Sequence, residues 1–359
     1  MKSRVALVAL ALCALAFAPR PAGAQTQRPL TSEEFLQLIR QLPKKPSAKE
    51  EIIEEVRRRG LGFPLTAGLR SVVATKSGND PDLRRTLEEA DRRRADPSAA
   101  SLPSEAEAGA AIELAREATL RAAGEMPDFV VKQLVARSYA LGTTRNWKTE
   151  DRLVVAVSYR EGEGEKYRLM AVNGVQGAAT TDRESGSYMQ AGGSTSTGEF
   201  VSVLADVFGE KAQAKFRAVD TGSIGARRAI VYEFAVEQPN SRQTIMAHGA
   251  EPIITAYRGR VWIDREKFRV LRFETQAVGI PTGYPVRAAS RVVEYDWVTI
   301  NERPYLLPSR STVELTVQTP SQLFQSRNDI RFRNYQKYGT EIKVIEEDII
   351  EDEPAGKKP

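Results

Sequence analysis

Apolar and polar residues alternate most regularly along this chain between Tyr257 and Gln276. In the first half of this segment, one residue in two would face the same side of a strand, and these residues are Tyr257, Gly259, Val261 and Ile263. The residues between them are mostly charged, and a short charged turn leads into a second β-rich run. This pattern is typical of an antiparallel hairpin with one face exposed to water.

Similar short runs follow one another from Pro127 onwards, and they predict about eleven strands. The expected strands are residues 129–140, 152–160, 166–173, 215–220, 227–236, 242–248, 255–264, 268–277, 286–300, 303–316 and 323–335. Because most of them have no helix between them, the pattern favours an antiparallel meander over βαβ units. One interruption, around residues 200–208, has apolar residues at helical spacing and predicts an amphipathic helix lying across the sheet.

The segment before the strands is expected to be helical. Apolar residues recur at helical spacing in four short stretches between residues 31 and 94, and such short helices must pack together to be stable. Residues 95–104 are rich in Ala, Ser, Pro and Asp and are expected to be a linker. Ser104 and Glu107 then form a capping-box pattern at the start of an Ala-rich helix.

Residues 1–24 have the pattern of a cleaved secretory signal peptide. A charged start precedes an apolar stretch too short to span a bilayer, and Ala22-Gly23-Ala24 offers a small-residue cleavage site. The remaining chain is expected to divide into a helical module (25–94), a linker (95–104), a β domain (105–345) and a disordered tail (346–359). We therefore expect a periplasmic or secreted protein, with no transmembrane helix in the mature chain.

Removal of the signal peptide changes what the composition implies. It contains the only cysteine and three of the 52 Lys and Arg residues, which leaves 49 basic and 47 acidic residues and a net charge of +2. A disulfide framework, a thiol nucleophile and a cysteine-ligated metal are then excluded from the mature chain. No nucleic-acid partner is indicated, because no basic stripe with interleaved aromatic residues remains.

Candidate chemistry is sparse. His248 is the only histidine, and no Gly-x-Ser-x-Gly elbow accompanies it, so we expect no catalytic residue, no metal and no cofactor, with a hydrolase as a minor alternative. Glu163 and Glu165 are assigned to a hairpin turn, although spacing alone does not exclude a carboxylate pair. Residues 192–195 are expected to be a flexible loop at a cavity mouth. Trp147, Trp262 and Trp297 are assigned to cross-strand packing.

Four segments carry a resemblance to known proteins: residues 126–129, 196–204, 256–264 and 332–335. They resemble the landmarks of an uncharacterised family of exported bacterial proteins. More distantly, residues 105–335 are similar to the periplasmic lipoprotein-carrier (LolA-type) superfamily and to the periplasmic sensor domain of envelope-stress regulators. The resemblance implies an α+β fold, in which a curved antiparallel half-barrel sheet has helices on its concave face and a cavity for acyl chains or a lipidated partner. Residues 52–90 weakly resemble a helical module of other exported bacterial proteins.

These observations lead to two hypotheses. The first is an exported, non-catalytic binding protein that holds a lipid, an acyl chain or a lipidated protein on the concave face. Its expected lining residues are Tyr257, Val261, Ile263, Leu271 and Phe273 on the sheet, with Val201, Leu204 and Phe208 on the covering helix. Alternation does not decide which face is concave.

The alternative hypothesis is a structural or interaction protein of the cell envelope. Its sheet would be fully packed, and residues 31–94 would bind a protein partner. A cavity of ligand size, roughly 300 Å³ or more, separates the two hypotheses.

Overall fold

A computed structural model describes residues 28–45, 48–78, 80–176, 188, 191, 193–340, 342 and 348. The expected signal peptide lies outside the described residues, as does the expected tail apart from Asp348. The Asp348 carboxylate lies 2.5 Å from the ammonium group of Lys132.

The N-terminal module consists of four helices: α1 (Ser32–Gln41), α2 (Ala48–Arg59), α3 (Ala67–Ser77) and α4 (Pro81–Ala95). The first begins at a capping box, in which the Glu34 backbone N–H donates to the Thr31 hydroxyl and the Thr31 N–H donates to the Glu34 carboxylate. Apolar residues of all four helices form one buried cluster that includes Phe35, Ile52 and Leu87. The four-helix pattern in the sequence therefore corresponds to a small bundle with its own core.

The β domain begins with helix α5 (Glu105–Gly124), and helix α6 (Val201–Phe208) interrupts its strands. The strands are β1 (Phe129–Leu141), β2 (Lys148–Arg160), β3 (Gly164–Val172), β4 (Val175–Gln176), β5 (Lys215–Ile224), β6 (Arg227–Val236), β7 (Thr244–Ala247), β8 (Ala250–Ile254), β9 (Ala256–Asp264), β10 (Val270–Val278), β11 (Val286–Ile300), β12 (Arg303–Gln318) and β13 (Leu323–Lys337).

Eleven of these strands form one antiparallel sheet in the order β4-β3-β2-β1-β13-β12-β11-β10-β9-β6-β5. The first long strand therefore pairs with the last in the interior of the sheet, while β4 and β5 form its two edges. This confirms the predicted α+β class: an open antiparallel half-barrel sheet with covering helices, preceded by a small helical bundle.

The strand predicted over residues 242–248 is present as the shorter β7, but its partner β8 was not predicted. That segment contains β7, which pairs only with β8, and the two form a separate hairpin between β6 and β9. The chain reverses at Gly249, whose positive φ of 73° favours glycine. In β8, Pro252 and the adjacent Ile253 and Ile254 interrupt the apolar–polar alternation that would have revealed the strand. The short edge strand β4 was also not predicted.

The two faces of the sheet are covered by different parts of the chain. We call the face that carries Val261, Phe273 and Val293 the inner face, and it packs against α5 and α6. The small side chains of α5 allow close packing, and the Tyr232 hydroxyl donates to the Ala108 carbonyl at 2.7 Å. The other side, the outer face, contacts helix α4 of the N-terminal module.

Contacts between the outer face and α4 are largely ionic. The guanidinium of Arg272, whose side chain is 4 % exposed, lies 3.0 Å from Asp82 and 2.6 Å from Glu274, and it also pairs with Glu294. Burial lowers the pKa of Arg272, but these three carboxylates outweigh that effect and raise it above its usual value. Arg272 therefore links the helical module to the sheet.

We predict that Arg272→Met destabilises the fold by about 3–5 kcal/mol, because it leaves Glu274 without its cation, and Asp82 and Glu294 with Arg85 alone. The matched control is Arg217→Met, which removes an exposed ion pair with Glu233 and should cost less than about 1 kcal/mol. Urea denaturation measures both changes in the free energy of unfolding. Equal, small losses for the two variants would contradict the assigned role of Arg272.

Candidate functional site

A cavity of about 930 Å³ lies on the inner face of the sheet. Its floor is formed by strands β10 to β13, and helix α6, the β7–β8 hairpin and the loop before α6 surround it. Apolar side chains predominate in its walls, and those on the floor and under the hairpin include Phe273, Val286, Val313, Leu315, Phe324 and Ile245. The cavity therefore lies over a part of the apolar inner face that helices α5 and α6 do not fully cover.

Alternation along the strands explains the floor. Phe273 and Thr275 of β10 face inward, and their cross-strand partners on β11 are Val293 and Arg291. Position 259 on β9 has no side chain, and a Cβ there would lie 1.8 Å from the Glu274 carbonyl oxygen and 2.9 Å from the Phe234 ring. The rings of Phe234 and Phe273 stack across this glycine with their centroids 5.3 Å apart. The glycine therefore allows the backbone of β10 to approach β9 closely while the two rings stack over it.

The β7–β8 hairpin forms one side of the cavity. Ile245 is buried against Tyr284, Val286 and Ala289, and the Tyr284 hydroxyl donates to the Ile245 carbonyl at 3.0 Å. Met246, which is 58 % exposed, lies at the mouth of the cavity. An apolar side chain at the mouth extends the apolar surface outward.

Residues 193–200, which we call the wall loop, form the opposite side, and polar contacts hold them on the sheet. The Gly198 N–H donates to the Glu165 carboxylate at 3.1 Å and to the Tyr167 hydroxyl at 2.9 Å. Two side chains of the floor donate to carbonyls of the loop. The Asn328 amide donates to the Ser194 carbonyl at 2.9 Å, and the Arg291 guanidinium donates to the Thr197 carbonyl at 3.2 Å. Phe200 ends the loop in a second apolar cluster, which lies on the inner face around strands β1 to β3.

Two carboxyl groups lie behind the wall loop. Glu199 is fully buried and accepts a hydrogen bond from the Ser196 hydroxyl. The pKa of Glu165 is raised to about 7, chiefly by burial; the hydrogen bond from Tyr167 opposes this effect and the Glu199 charge adds to it. The neighbouring Tyr188 also holds the loop, since its hydroxyl accepts from the Ser196 N–H at 3.3 Å. Glu165 can therefore hold a proton near neutral pH.

The sequence-based assignment of Glu163 and Glu165 to a hairpin turn was right for the first and wrong for the second. Glu163 does lie in the β2–β3 turn, where it pairs with Arg160 and Lys166. Glu165, however, lies on β3 and faces inward with Tyr167 and Leu169. The alternation Glu-x-Tyr-x-Leu was the signal for this placement, and the glycines on both sides of Glu163 masked it.

The predicted lining residues separate into groups. Tyr257 and Phe273 line the cavity. Val261, Ile263 and Phe208 are fully buried in the cluster formed by α5, α6 and the sheet, and Leu204 packs against that cluster. These residues therefore belong to the core beside the cavity. The side chain of Val201 lies outside the described part of the structure.

The placement of Leu271 with the inner residues was wrong. It lies on the outer face with Trp262. The register of β10 against β9 shifts between Val270 and Arg272, and this bulge adds one residue and reverses the alternation before it. Strict alternation back from Phe273 could not reveal such a shift.

Sequence reasoning missed the cavity residues on β11, β12, β13 and the β7–β8 hairpin. Alternation identified all of these strands except β8, but it carries no information on which of them the helices leave uncovered. Gly193, Ser194 and Thr195 of the expected mouth loop do line the cavity, while Gly192 lies outside the described residues.

The other candidate residues have distinct surroundings. His248 lines the cavity mouth, at the turn of the β7–β8 hairpin. No cluster of three or more potential metal-binding His, Cys, Asp or Glu residues occurs in the described part of the chain. The three tryptophans each contact an arginine: Trp147 lies beside Arg145 and Arg327, Trp262 beside Arg272 and Trp297 beside Arg227. These three rings are not part of the cavity wall.

Comparison with known proteins identifies no matching family model and no matching curated protein. Among solved structures, a DUF1329 family protein from Desulfovibrio piger aligns with 11 % identity and a TM-score of 0.30, over 64 % of this chain and 95 % of that one. The MucA/MucB complex of Pseudomonas aeruginosa aligns with 10 % identity and a TM-score of 0.19, over 62 % and 94 %. A MucB structure in complex with MucA(peri) gives 12 % and 0.17, over 61 % and 93 %. Scores this low carry no argument about this chain.

No helix among the described residues is long and apolar enough to cross a membrane.

We predict that Glu165→Gln makes the fold less sensitive to rising pH. The folded-state pKa of Glu165, about 7, is above its ordinary value of 4.5. The protonated carboxyl therefore stabilises the fold below pH 4.5, and this stabilisation is lost as pH rises through 7. Relative to wild type, the variant should be more stable at pH 8 by on the order of 2 kcal/mol, and little changed at pH 5.

Thermal unfolding at the two pH values measures this difference. The control is Glu163→Gln: hydrogen bonds and charges from Lys166 and Arg160 lower the pKa of Glu163, so its carboxylate is ionised at both pH values and no such differential is expected. A Glu165→Gln effect that is the same at pH 5 and pH 8 would refute the raised pKa.

Proposed function

We propose that this chain is an exported, non-catalytic binding protein that holds a lipid, an acyl chain or the acyl chain of a lipidated protein on the inner face of its sheet. The observation that carries the proposal is the cavity of about 930 Å³. Binding sites for small molecules begin at about 300 Å³, and a fully packed sheet would leave no such space.

The character of the walls favours an apolar ligand. Each methylene group that leaves water for an apolar surface contributes about 0.8 kcal/mol. A long chain lying on Val286, Val313 and Leu315 would collect many such contributions, which offset the entropy lost on binding.

A covalent reaction is not part of the proposal. The carboxyl groups of Glu165 and Glu199 lie behind the wall loop and hydrogen bond to Gly198 and Ser196. This arrangement suits a structural role in holding the cavity wall. His248 lies at the mouth, on a different side from these acids.

A partner-binding role for residues 31–94 remains a separate prediction. The module packs on the outer face through Arg272 and Arg85, away from the cavity. A protein partner of the module and a ligand in the cavity could therefore be bound at the same time. Export, to the periplasm or beyond the cell, rests on the signal-peptide pattern of residues 1–24.

The proposal predicts that the protein takes up a fluorescent fatty acid, and that Leu315→Glu lowers the affinity at least about tenfold. Leu315 lines the cavity, and a carboxylate placed there would lose its hydration when the chain enters. The control is Thr316→Glu, the next residue on the same strand, which faces the other side and should bind as wild type does. Circular dichroism checks that both variants are folded.

Fluorescence titration and native mass spectrometry of protein purified from its own envelope provide the measurements. No uptake by wild-type protein, together with no co-purified lipid, would refute the proposal. Equal affinities for Leu315→Glu and Thr316→Glu would show that the probe binds elsewhere.

A further inference from the structure

Among the described residues, two arginines line the cavity, and their surroundings differ. Arg242 lies at the rim, where it is 62 % exposed and pairs with Asp206 at 3.4 Å. Arg291 lies on the floor, on the inner face of β11 between Thr275 of β10 and Val313 of β12. Arg291 is half-buried and its hydrogen bond to the wall loop lies at an exposed position, so a ligand can reach its guanidinium from solvent.

Most N–H donors of the Arg291 guanidinium form no hydrogen bond to the described residues. One of its terminal nitrogens donates to the Thr197 carbonyl at 3.2 Å, and among the described residues it forms no ion pair within 4.0 Å. A guanidinium has five N–H donors in a planar fork, which matches two oxygens of a carboxylate or a phosphate. Most of this capacity is unused at the point where the wall loop meets the floor.

The surface next to Arg291 is apolar and extended. Val313, Leu315 and Val317 follow one another on the same face of β12 and all line the cavity. Successive inward residues of an antiparallel strand are about 7 Å apart, so this track is about 14 Å long. A cation at one end of an apolar track is the complement of an amphiphile with an anionic head and a hydrocarbon tail.

We infer that the ligand is an amphiphile with a single anionic head group, and that Arg291 binds the oxyanion while the chain lies along β12. This inference rests on the proposed function and adds its head-group specificity. The oxyanion could be a fatty-acid carboxylate or the phosphate of a lipid with one chain. The two share the geometry that a guanidinium recognises, and charge-assisted bidentate bonds are among the strongest that a side chain makes.

Other charged groups near Arg291 leave room for an anion. Glu165 accepts from the Gly198 N–H of the wall loop, and Glu199 is a buried residue of that loop. Burial, with the Glu199 charge, raises the pKa of Glu165 to about 7 despite the nearby Arg291. Glu150 and Asp206 also line the cavity, as does His248 at the mouth, but none of them pairs with Arg291. Binding assays at pH 6.5 keep Glu165 largely protonated, which limits its competition for the arginine.

The test compares oleate, oleyl phosphate and oleyl alcohol as competitors of a fluorescent fatty acid, at pH 6.5. Wild-type protein should bind oleate or oleyl phosphate at least about tenfold more tightly than the alcohol. Arg291→Gln should remove this preference by weakening the anions about tenfold, with the alcohol changed less than twofold. Arg291→Lys should restore part of the preference. The control Arg287→Gln, an exposed arginine on the same strand, should behave as wild type.

The outcomes distinguish the inference from the proposed function. Tighter binding of oleyl phosphate than of oleate, lost in Arg291→Gln, supports the inference and identifies phosphate as the head group. Equal binding of anion and alcohol by wild type overturns the inference and leaves the apolar cavity intact. An equal loss of all three ligands in Arg291→Gln also overturns it, because the arginine would then act only on packing. Absence of binding by all three in wild type overturns both proposals.

Discussion

The inner face of the sheet is larger than the helices that cover it, and the rest of the structure follows from this mismatch. Eleven strands spaced at about 4.8 Å extend over roughly 48 Å, whereas α5 and α6, with 20 and 8 residues, are about 30 and 12 Å long. The helices cover the strands around β6, β9 and β10. The hairpin β7–β8 and the wall loop enclose part of what remains, and the cavity is the apolar surface left between them.

The two faces of the sheet are covered through different kinds of interaction. Apolar packing holds α5 and α6, while ion pairs around Arg272 hold the helical module on the outer face. The wall loop is held by hydrogen bonds from Asn328 and Arg291 and by its own N–H donors to Glu165 and Tyr188. Such directional contacts fix the loop's position without filling the space beside it. A cavity next to the loop can therefore persist in a stable fold.

Much of this architecture could be predicted from the sequence. The alternation of Tyr257, Val261 and Ile263 indicated a shared face, and a helix was predicted around residues 200–208, where the structure has one over 201–208. These features depend on local periodicity. The pairing of β1 with β13, the shift at Leu271 and the choice of uncovered strands depend on contacts between distant residues. The cavity residues on β11 to β13 therefore could not be found from periodicity, and Glu165 was hidden by the glycines around it.

A crystal structure of the protein grown with a bromine-labelled fatty acid would test the central claim most directly. If the uncovered inner face is a binding surface, anomalous bromine peaks should lie over β12, between Val313 and Val317, with the sheet unchanged. Peaks confined to the outer face, or a floor closed over by the protein's own side chains, would contradict the account.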